Sequence, residues 1–587
     1  MAKRTLPKNG RYFGSSGTLL TLLIPALALC LASAGFADVS GRVVDESNSP
    51  IAGARVHLQA SPDAPVVVTA PDGSFTVPIA DPGTARIGAS VIYDPNNPIN
   101  YATNAVVVPN PSVGVEIQLP TIPGANPAYD PPAVNQSCAF CHAEITAEWQ
   151  TSVHSTATLD FFVRDLFSGD ATPGGSNGFV YIDTHDPDDT GTCATCHAPL
   201  ADAFDPGNTF LNEIVANGDP AEIEGVSCLA CHQIHDVSGD VNGIHTLGNS
   251  EYRFPDGAPS TDRFVWGPLD DTDTSFMRAS YAPFFRTSEM CASCHQYQAP
   301  FGQETYSEWL ASPYAVPGPG FRSCQDCHMV AREGEGTVCD LGDPPVRPSS
   351  QRHQHTFVGS TPQTLADNID LTLAVDQEDG RVLVRAEVNN FGAGHSFPTG
   401  VSVRNAFLLI EATVNGQPIE QVAGPTVPEW ASDDVPGIQE GDYGGAPGTG
   451  FAKILEGRIN GQGDPVWPVL FVDAETVREK STIPSGATDV TEIEFAVPGA
   501  ANLGDSLQVS ARLLYRRVFR ALQITKGWTE TPQGGPIEIE VAAQSVDTTV
   551  TTVGGGPAVP EIPALGPFGV VLLGLGLVAV AVRRLNA

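Results

Sequence analysis

The sequence predicts a multidomain fold. A mostly α-helical and loop-rich segment lies between two antiparallel β-sandwich domains, and a transmembrane helix ends the chain. Alternating β-branched runs, separated by Gly and Pro turns, flank the middle of the chain on both sides. The middle has few long periodic segments, and residues 568–582 form an apolar run. With 587 residues, the chain is too long for one ordinary hydrophobic core.

Five copies of the motif Cys-x-x-Cys-His define the middle segment. They are Cys138/Cys141/His142, Cys193/Cys196/His197, Cys228/Cys231/His232, Cys291/Cys294/His295 and Cys324/Cys327/His328. Two thiols at this spacing can each add to a vinyl group of one haem, and the following histidine can bind its iron. Zinc needs two such pairs per metal, so an odd number of pairs, each followed by a histidine, argues against it. We therefore predict five covalently bound haem c groups, whose porphyrins replace much of an ordinary core.

The sixth ligand of each iron determines what such a protein can do. With a second histidine, the iron has no free position and a low reduction potential, so the haem carries electrons only. Methionine gives the haem a higher reduction potential, and an empty position lets a substrate bind to the iron. The histidines outside the motifs are His57, His154, His185, His235, His245, His353, His355 and His395. Possible thioether ligands are Met277, Met290 and Met329, of which Met277 would replace a histidine at one site.

Several segments resemble multihaem cytochromes related to cytochrome c554. They are WQTSVH (149–154), SCLACHQIH (227–235), SEMCASCHQ (288–296), CQDCHM (324–329), RHQHTFVG (352–359) and NFGAGHSFPTG (390–400). The resemblance covers about residues 135–410 and implies that His154, His355 and His395 are distal haem ligands. His235 is too close to its own motif to cap that haem, so it could serve a neighbouring iron. His245 is the fifth candidate.

Residues 38–120 carry no haem motif. Short β-branched strands and turn residues, as in PIAGARV (50–56) and DGSFTV (72–77), indicate a small antiparallel sandwich. These segments resemble the carboxypeptidase regulatory-like domain, which implies seven strands and no catalysis. His57 is expected to be structural, and His185 and His353 are expected to be exposed loop residues.

Strict alternation returns after residue 362. Ile369 to Val375 and Val382 to Val388 flank Asp379-Gly380, a preferred two-residue hairpin turn. Further strands are predicted at 401–414, 491–497 and 507–515. Residues 362–548 therefore form a second, larger sandwich, which carries His395.

Both ends of the chain have the features of targeting segments. Positive charges in residues 1–11, an apolar stretch at 19–31 and small residues up to Ala37 are typical of a secretory signal peptide. The C-terminal apolar stretch of about 20 residues can span a bilayer, with Arg583-Arg584 on the cytoplasmic side. This tail resembles PEP-CTERM and IPTL-CTERM sorting signals, which implies surface sorting; a permanent anchor is the alternative. We expect an exported, periplasmic or cell-surface protein.

The predicted organisation follows from these segments. The domains are a signal peptide (1–37), a carboxypeptidase-regulatory-like β-sandwich (38–120), a Pro-rich linker (121–134), a pentahaem cytochrome c domain (135–361), a β-sandwich contributing a distal haem ligand (362–548), a flexible stalk (549–561) and a transmembrane or sorting tail (562–587).

The formal net charge of −37 repels nucleic acid and anionic lipid. The leading hypothesis is electron transfer through five mostly bis-histidine haems, with other cytochromes or similar redox proteins as partners. One alternative is a multihaem oxidoreductase that acts on a small nitrogen or sulfur compound at one open haem. Another is a structural surface cytochrome that self-associates. The sequence identifies no catalytic residue, and an electron carrier is favoured over an enzyme.

Overall fold

The computed structural model describes residues 37–126, 131–237, 240–241, 244–245, 250–253, 264–274, 277–297, 300–433 and 440–553. Residues 1–36 of the predicted signal peptide and the whole predicted transmembrane tail lie outside these ranges. Within them, no helix is both long enough and apolar enough to cross a membrane.

The N-terminal domain is a sandwich of two sheets. Its three-stranded sheet has the order Ser74–Ile79, Ala37–Val44, Ser112–Gln118, and its four-stranded sheet has the order Val67–Val68, Arg55–Leu58, Gly83–Ser90, Asn104–Asn110. Side chains alternate between the core and the solvent along Ser74–Ile79, as a half-buried strand requires. The seven strands that the sequence led us to expect are therefore present.

The pairing of the first strand differs from the prediction of a purely antiparallel sandwich. Ala37–Val44 runs parallel to Ser112–Gln118 and antiparallel to Ser74–Ile79. Gly41 permits the parallel approach, because a Cβ at this position would collide with the carbonyl group of Val115. The prediction was wrong here because alternation in a sequence does not reveal the direction of the neighbouring strand.

The middle region consists of short elements joined by loops. Its α-helices are Ala143–Gln150, Phe161–Phe167, Tyr181–Thr184, Cys193–His197, Pro199–Phe204, Leu211–Asn217, Pro220–Ile223, Cys228–His232, Glu289–His295, Thr305–Leu310 and Cys324–His328. Its 3-10 helices are Val134–Gln136, Cys138–Phe140, Val153–Leu159, Pro283–Arg286, Pro313–Ala315 and Ser349–Gln351. Its strands are Ile234–Val237, Asp240–Val241, Ile244–His245, Ser250–Tyr252, Phe264–Gly267 and Arg278–Tyr281. Helices this short are marginal by themselves, so the region depends on packing.

The C-terminal domain is a larger sandwich that follows helix Pro362–Ala366. One sheet has the order Ile369–Glu378, Arg381–Asn390, Thr488–Ala496, Gln421–Ala423. The other has the order Ala474–Lys480, Gly448–Gly457, Asn405–Val414, Ser506–Arg516, Glu538–Thr549, with Gln417–Pro418 paired to Asn405–Val414. Outside the sheets are the helix Arg520–Lys526 and the 3-10 helices Glu429–Ala431, Ile459–Gly461 and Phe471–Asp473.

The predicted hairpin in this domain is confirmed. Ile369–Glu378 pairs antiparallel with Arg381–Asn390. Both residues of the turn, Asp379 and Gly380, have positive φ angles of 49° and 74°, as a type I′ turn requires. At the other end of the domain, Val550 is buried in the core, so the sandwich extends into the first residues of the predicted stalk.

The N-terminal domain packs directly on the middle region. Tyr93 and Ile122 share a buried apolar cluster with Trp266 and Ala282, although we expected an extended linker around Ile122. The amide of Ala60 donates to the carboxylate of Asp271 over 2.6 Å. The linker segment is thus partly a packed element, because its apolar side chains find a surface to cover.

A buried ion pair supports this contact. Arg347 lies 2.7 Å from Asp271, and their side chains are 2% and 0% exposed. Next to it, Asp270 contacts Arg55 and His57, each at 3.2 Å. Burial by itself would lower the pKa of His57, but the carboxylate of Asp270 outweighs it and raises that pKa.

The first prediction concerns this ion pair. Replacing Arg347 by Met should lower the free energy of unfolding by about 3–5 kcal/mol, because it leaves the buried carboxylate of Asp271 without its counter-charge. The measurement is the urea midpoint of the full chain. Arg385→Met is the control, since Arg385 forms an exposed ion pair and its loss should leave the midpoint unchanged. Equal midpoints for the two variants would contradict the prediction.

Candidate haem-binding sites

Each motif is held on a short helical element. The second to fifth motifs lie on α-helices that end at or next to the motif histidine, and the first begins a 3-10 helix at Cys138. Ser227 and Ser323 precede the third and fifth motifs and accept hydrogen bonds from the backbone amides of Ala230 and Asp326. A serine at this position is a favourable helix N-cap, so the local sequence itself starts these helices.

Four motif histidines direct one ring nitrogen to a backbone carbonyl. Nδ1 of His197 lies 3.1 Å from the oxygen of Ala157, and Nδ1 of His232 lies 2.7 Å from that of Trp266. The other two contacts are His142 with Val338 and His328 with Val358. Metal-binding histidines commonly donate this second N–H to a carbonyl, which fixes the tautomer and leaves Nε2 free to bind a metal.

Two motif histidines face a second histidine. The rings of His154 and His295 have centroids 6.4 Å apart, and those of His328 and His395 have centroids 6.3 Å apart. Metal–imidazole bonds of about 2 Å on each side would place two ring centroids about 6 Å apart. Nδ1 of His395 also lies 3.1 Å from a carbonyl oxygen, that of Ser396. The residues present therefore fit a haem iron that two histidines would hold between them.

Burial keeps these histidines neutral. Burial, and next the neighbouring histidines with His295 foremost, lower the pKa of His154 to about 3. Burial likewise lowers the pKa of His295 to about 4 and the pKa of His355 to about 4. A neutral imidazole offers the lone pair that a metal needs, so the electrostatic environment favours ligation.

The other predicted distal ligands have different surroundings. The pKa of His355 is lowered first by burial and next by the charge of His232, so these two rings are close neighbours. Nδ1 of His235 lies 2.8 Å from the hydroxyl of Tyr93 in the N-terminal domain. His245 belongs to the strand Ile244–His245, but its side chain lies outside the described part. Of the described side chains, none forms a ring pair with His197.

Two histidines that we expected to be exposed are not. The side chain of His185 is 9% exposed and its Nε2 lies 3.1 Å from the carboxylate of Asp473, so this nitrogen is already engaged. His353 is partly buried and lines the same cavity as His142. Its Nδ1 lies 2.7 Å from the carbonyl oxygen of Met329. No spacing in the sequence marks His353 as a ligand, because the carbonyl that orients its ring belongs to another segment.

The five motifs form a continuous group. The thiol of Cys196 interacts with that of Cys294, and the thiol of Cys291 interacts with that of Cys324, so the fourth motif adjoins the second and the fifth. The thiols of the first and third motifs meet in the same way, through Cys138 and Cys228. Burial, and next the neighbouring Cys294, raise the pKa of Cys231, which puts the third motif near the fourth. The fourth motif therefore lies at the centre.

Comparison with known proteins directly supports the prediction for the N-terminal domain. Residues 38–119 match the carboxypeptidase regulatory-like domain family, in agreement with the N-terminal sandwich. Among solved structures, the chain is similar to a penta-haem cytochrome c552 from Thermochromatium tepidum. The identity is 20%, the TM-score is 0.47, and the alignment covers 70% of this chain and 98% of that chain. Since a likeness of this degree carries no argument, the haem assignment rests on this chain's own residues. No curated protein matches the sequence.

The second prediction concerns acid stability. The folded-state pKa values of His154, His295 and His355 lie below the ordinary unfolded value of about 6.5. Below that pH the unfolded chain binds more protons, so stability is complete above about pH 6.5 and falls as the pH decreases towards 4. Each histidine should contribute about 1.4 kcal/mol per pH unit over this range.

Urea midpoints of the wild type and of His154→Phe at pH 7 and pH 5 test this. The wild type should lose more stability between the two pH values than the variant, which lacks one of the titrating groups. Because both proteins share every carboxylate, the difference between their pH dependences isolates the histidine. Identical pH dependences would contradict the prediction.

Proposed function

We propose that this chain is an exported multihaem c-type cytochrome that transfers electrons through five covalently bound haem c groups. The ten motif cysteines attach the haems, and His142, His197, His232, His295 and His328 are the proximal ligands. A haem iron held in this way takes up and releases one electron at a time. The proposal is carried by the two histidine pairs, His154 with His295 and His328 with His395, whose spacing suits a shared metal.

Electron transfer is favoured over catalysis because an iron with two histidine ligands has no position left for a substrate. The contiguity of the motifs, with the fourth at the centre, also favours passage of electrons between neighbouring haems. The segments that resemble cytochromes related to cytochrome c554 support the same function. Of the other proposed distal ligands, His355 belongs beside His232, while His235 and His245 stay unassigned to a particular iron.

One observation favours a second function. His295 and His328 each face a second histidine, His232 has His355 nearby, and His142 shares a cavity with His353. His197 is the motif histidine for which no described side chain suggests a sixth ligand, so the second motif is the place where an open iron would lie. In that case the protein would be a multihaem oxidoreductase acting on a small nitrogen or sulfur compound. Met277 or His245 would instead close this iron.

The location and the partners are also proposals. The predicted leader at 1–37 and the apolar tail at 562–587 support export and attachment to, or sorting at, a membrane. Electrons would pass to or from redox proteins such as other cytochromes. Given the net charge of −37, a partner with a positive docking patch is favoured, and nucleic acid is not a partner. Self-association through the sandwiches is compatible with this function.

The third prediction tests the haem count. The mass of the mature protein should exceed that of its polypeptide by five haems. Replacing both Cys324 and Cys327 by Ala should remove one haem, because it removes both attachment points of one group. Cys339→Ala is the matched control, since Cys339 contacts Cys141 but belongs to no motif. A wild-type count of four or fewer would disprove at least one motif assignment.

The fourth prediction separates electron transfer from catalysis. The reduced protein should give its electrons rapidly to an oxidised cytochrome, but it should not turn over nitrite, hydroxylamine or tetrathionate at rates of about 1 s⁻¹ or more. Stopped-flow absorbance measures both reactions. His395→Ala serves as a control, because it should open one iron by design. Multiple rapid turnovers by the wild type would instead support the oxidoreductase.

A further inference from the structure

We propose that His353 is the sixth ligand of the haem iron at the first motif, opposite His142. This inference rests on the proposed function and assigns a ligand where the sequence suggested only a loop residue. It begins from one cavity, which both histidines line together with Arg332, Arg352 and Val338.

The two rings are prepared for ligation in the same way. Nδ1 of His142 contacts the carbonyl oxygen of Val338, and Nδ1 of His353 lies 2.7 Å from that of Met329. When Nδ1 donates its proton to a carbonyl, the lone pair of the ring is on Nε2. Each ring therefore has the tautomer that binds a metal through Nε2, and both border the same space.

Backbone hydrogen bonds hold both histidines in place. On one side, the amide of Arg332 donates to the carbonyl of Arg352 over 2.8 Å, and the amide of Gln354 donates to that of Val330 over 2.9 Å. His353 lies between these two bonds and pairs with Ala331. A histidine in such a hydrogen-bonded segment loses little further conformational entropy when it binds a metal, because its backbone is already fixed.

Hydrogen bonds also fix the backbone around His142. The amide of Asp340 donates to the carbonyl of Cys141 over 2.7 Å. The amide of Ala143 donates to the carboxylate of Asp340 over 3.0 Å. The segment that contains Val338 and Asp340 therefore holds the backbone on both sides of His142 and also supplies the carbonyl acceptor of its ring.

The charges of the cavity suit a haem, which carries two carboxylates. Arg332 is already paired with Glu144 and Glu148. Arg352 instead reaches the carbonyl oxygens of Gly334 at 3.3 Å and Glu333 at 3.5 Å, and its Nε is buried without a partner. No described carboxylate lies within ion-pair distance of Arg352, so its charge is available to a carboxylate of the haem.

His355 does not compete for this iron. Nδ1 of His355 lies 3.2 Å from the carbonyl oxygen of His353, and its ring packs edge-on against Phe357 with centroids 5.8 Å apart. Unlike His353, it does not line the cavity at His142. Of the two histidines in segment 352–355, His353 is therefore the one placed to bind the iron of the first motif.

The test uses the full-length, haem-loaded protein. His353→Ala should keep five haems by mass but convert one fifth of the haem from low-spin to high-spin in electron paramagnetic resonance, and added imidazole should restore the low-spin signal. His395→Ala is the positive control and should show the same conversion. His185→Ala is the negative control, because Nε2 of His185 is bonded to Asp473.

A second variant assigns the effect to one site. In a background where Cys138 and Cys141 are both Ala, His353→Ala should produce no high-spin signal, because the haem it serves is missing. If His353→Ala does not yield folded protein, His353→Met should fold with all haems low-spin and raise the potential of one of the five, since methionine ligation raises haem potentials.

The outcomes separate this inference from the proposed function. Five haems that all stay low-spin in His353→Ala, or five unchanged potentials in His353→Met, would overturn the ligand assignment and leave the multihaem function intact. A high-spin signal that persists without the first-motif haem would assign His353 to another iron and also overturn it. Wild-type protein without covalent haem would overturn the proposed function itself.

Discussion

The approach of His395 to His328, with ring centroids 6.3 Å apart, brings the C-terminal sandwich and the middle region together at one point. His328 ends a helix of the middle region, while His395 lies on a loop of the C-terminal sandwich. Glu308 of the middle region fixes that loop, because its carboxylate accepts hydrogen bonds from the amide of Ser396 and the hydroxyl of Thr399. Gly392 is required in the same loop, since a Cβ there would collide with Asn368. The loop that carries His395 is therefore held in place by contacts with both domains.

Buried lysines make a second set of contacts between these domains. Nζ of Lys526 donates to the carbonyl oxygens of Asp165, Gly175 and Phe179, and Nζ of Lys453 donates to those of Pro300 and Gly302. Burial lowers the pKa of both lysines. A region built from short helices leaves many carbonyls without helical partners, and an unpaired buried carbonyl is costly. The lysines of the sandwich satisfy several of them, so the second domain completes the hydrogen bonding of the first.

The sequence predicted the features that depend on local spacing. The five motifs, the hairpin at Asp379-Gly380 and the two sandwiches are all encoded by neighbours along the chain. It did not predict the parallel pairing of the first strand or the packing of Ile122, because both depend on the surface that a distant segment presents. The proposed role of His353 was not predicted from the sequence for the same reason. Its ring is oriented by the carbonyl of Met329, and nothing in the spacing of RHQH distinguishes it from His355.

The accessibility of the thiols bears on how such a protein forms. Of the ten motif cysteines, only Cys327 is exposed in the folded chain. Covalent attachment of a haem needs both thiols of a motif within reach, so on the proposed function the haems must be attached before the middle region closes. On the same proposal, His395 would reach its iron only when the sandwich docks. Ligation of iron and docking of the domains would then be thermodynamically coupled, since the free energy of metal binding is also free energy of folding. Such coupling would explain how helices of eight residues or fewer, too short to persist alone, form a stable region.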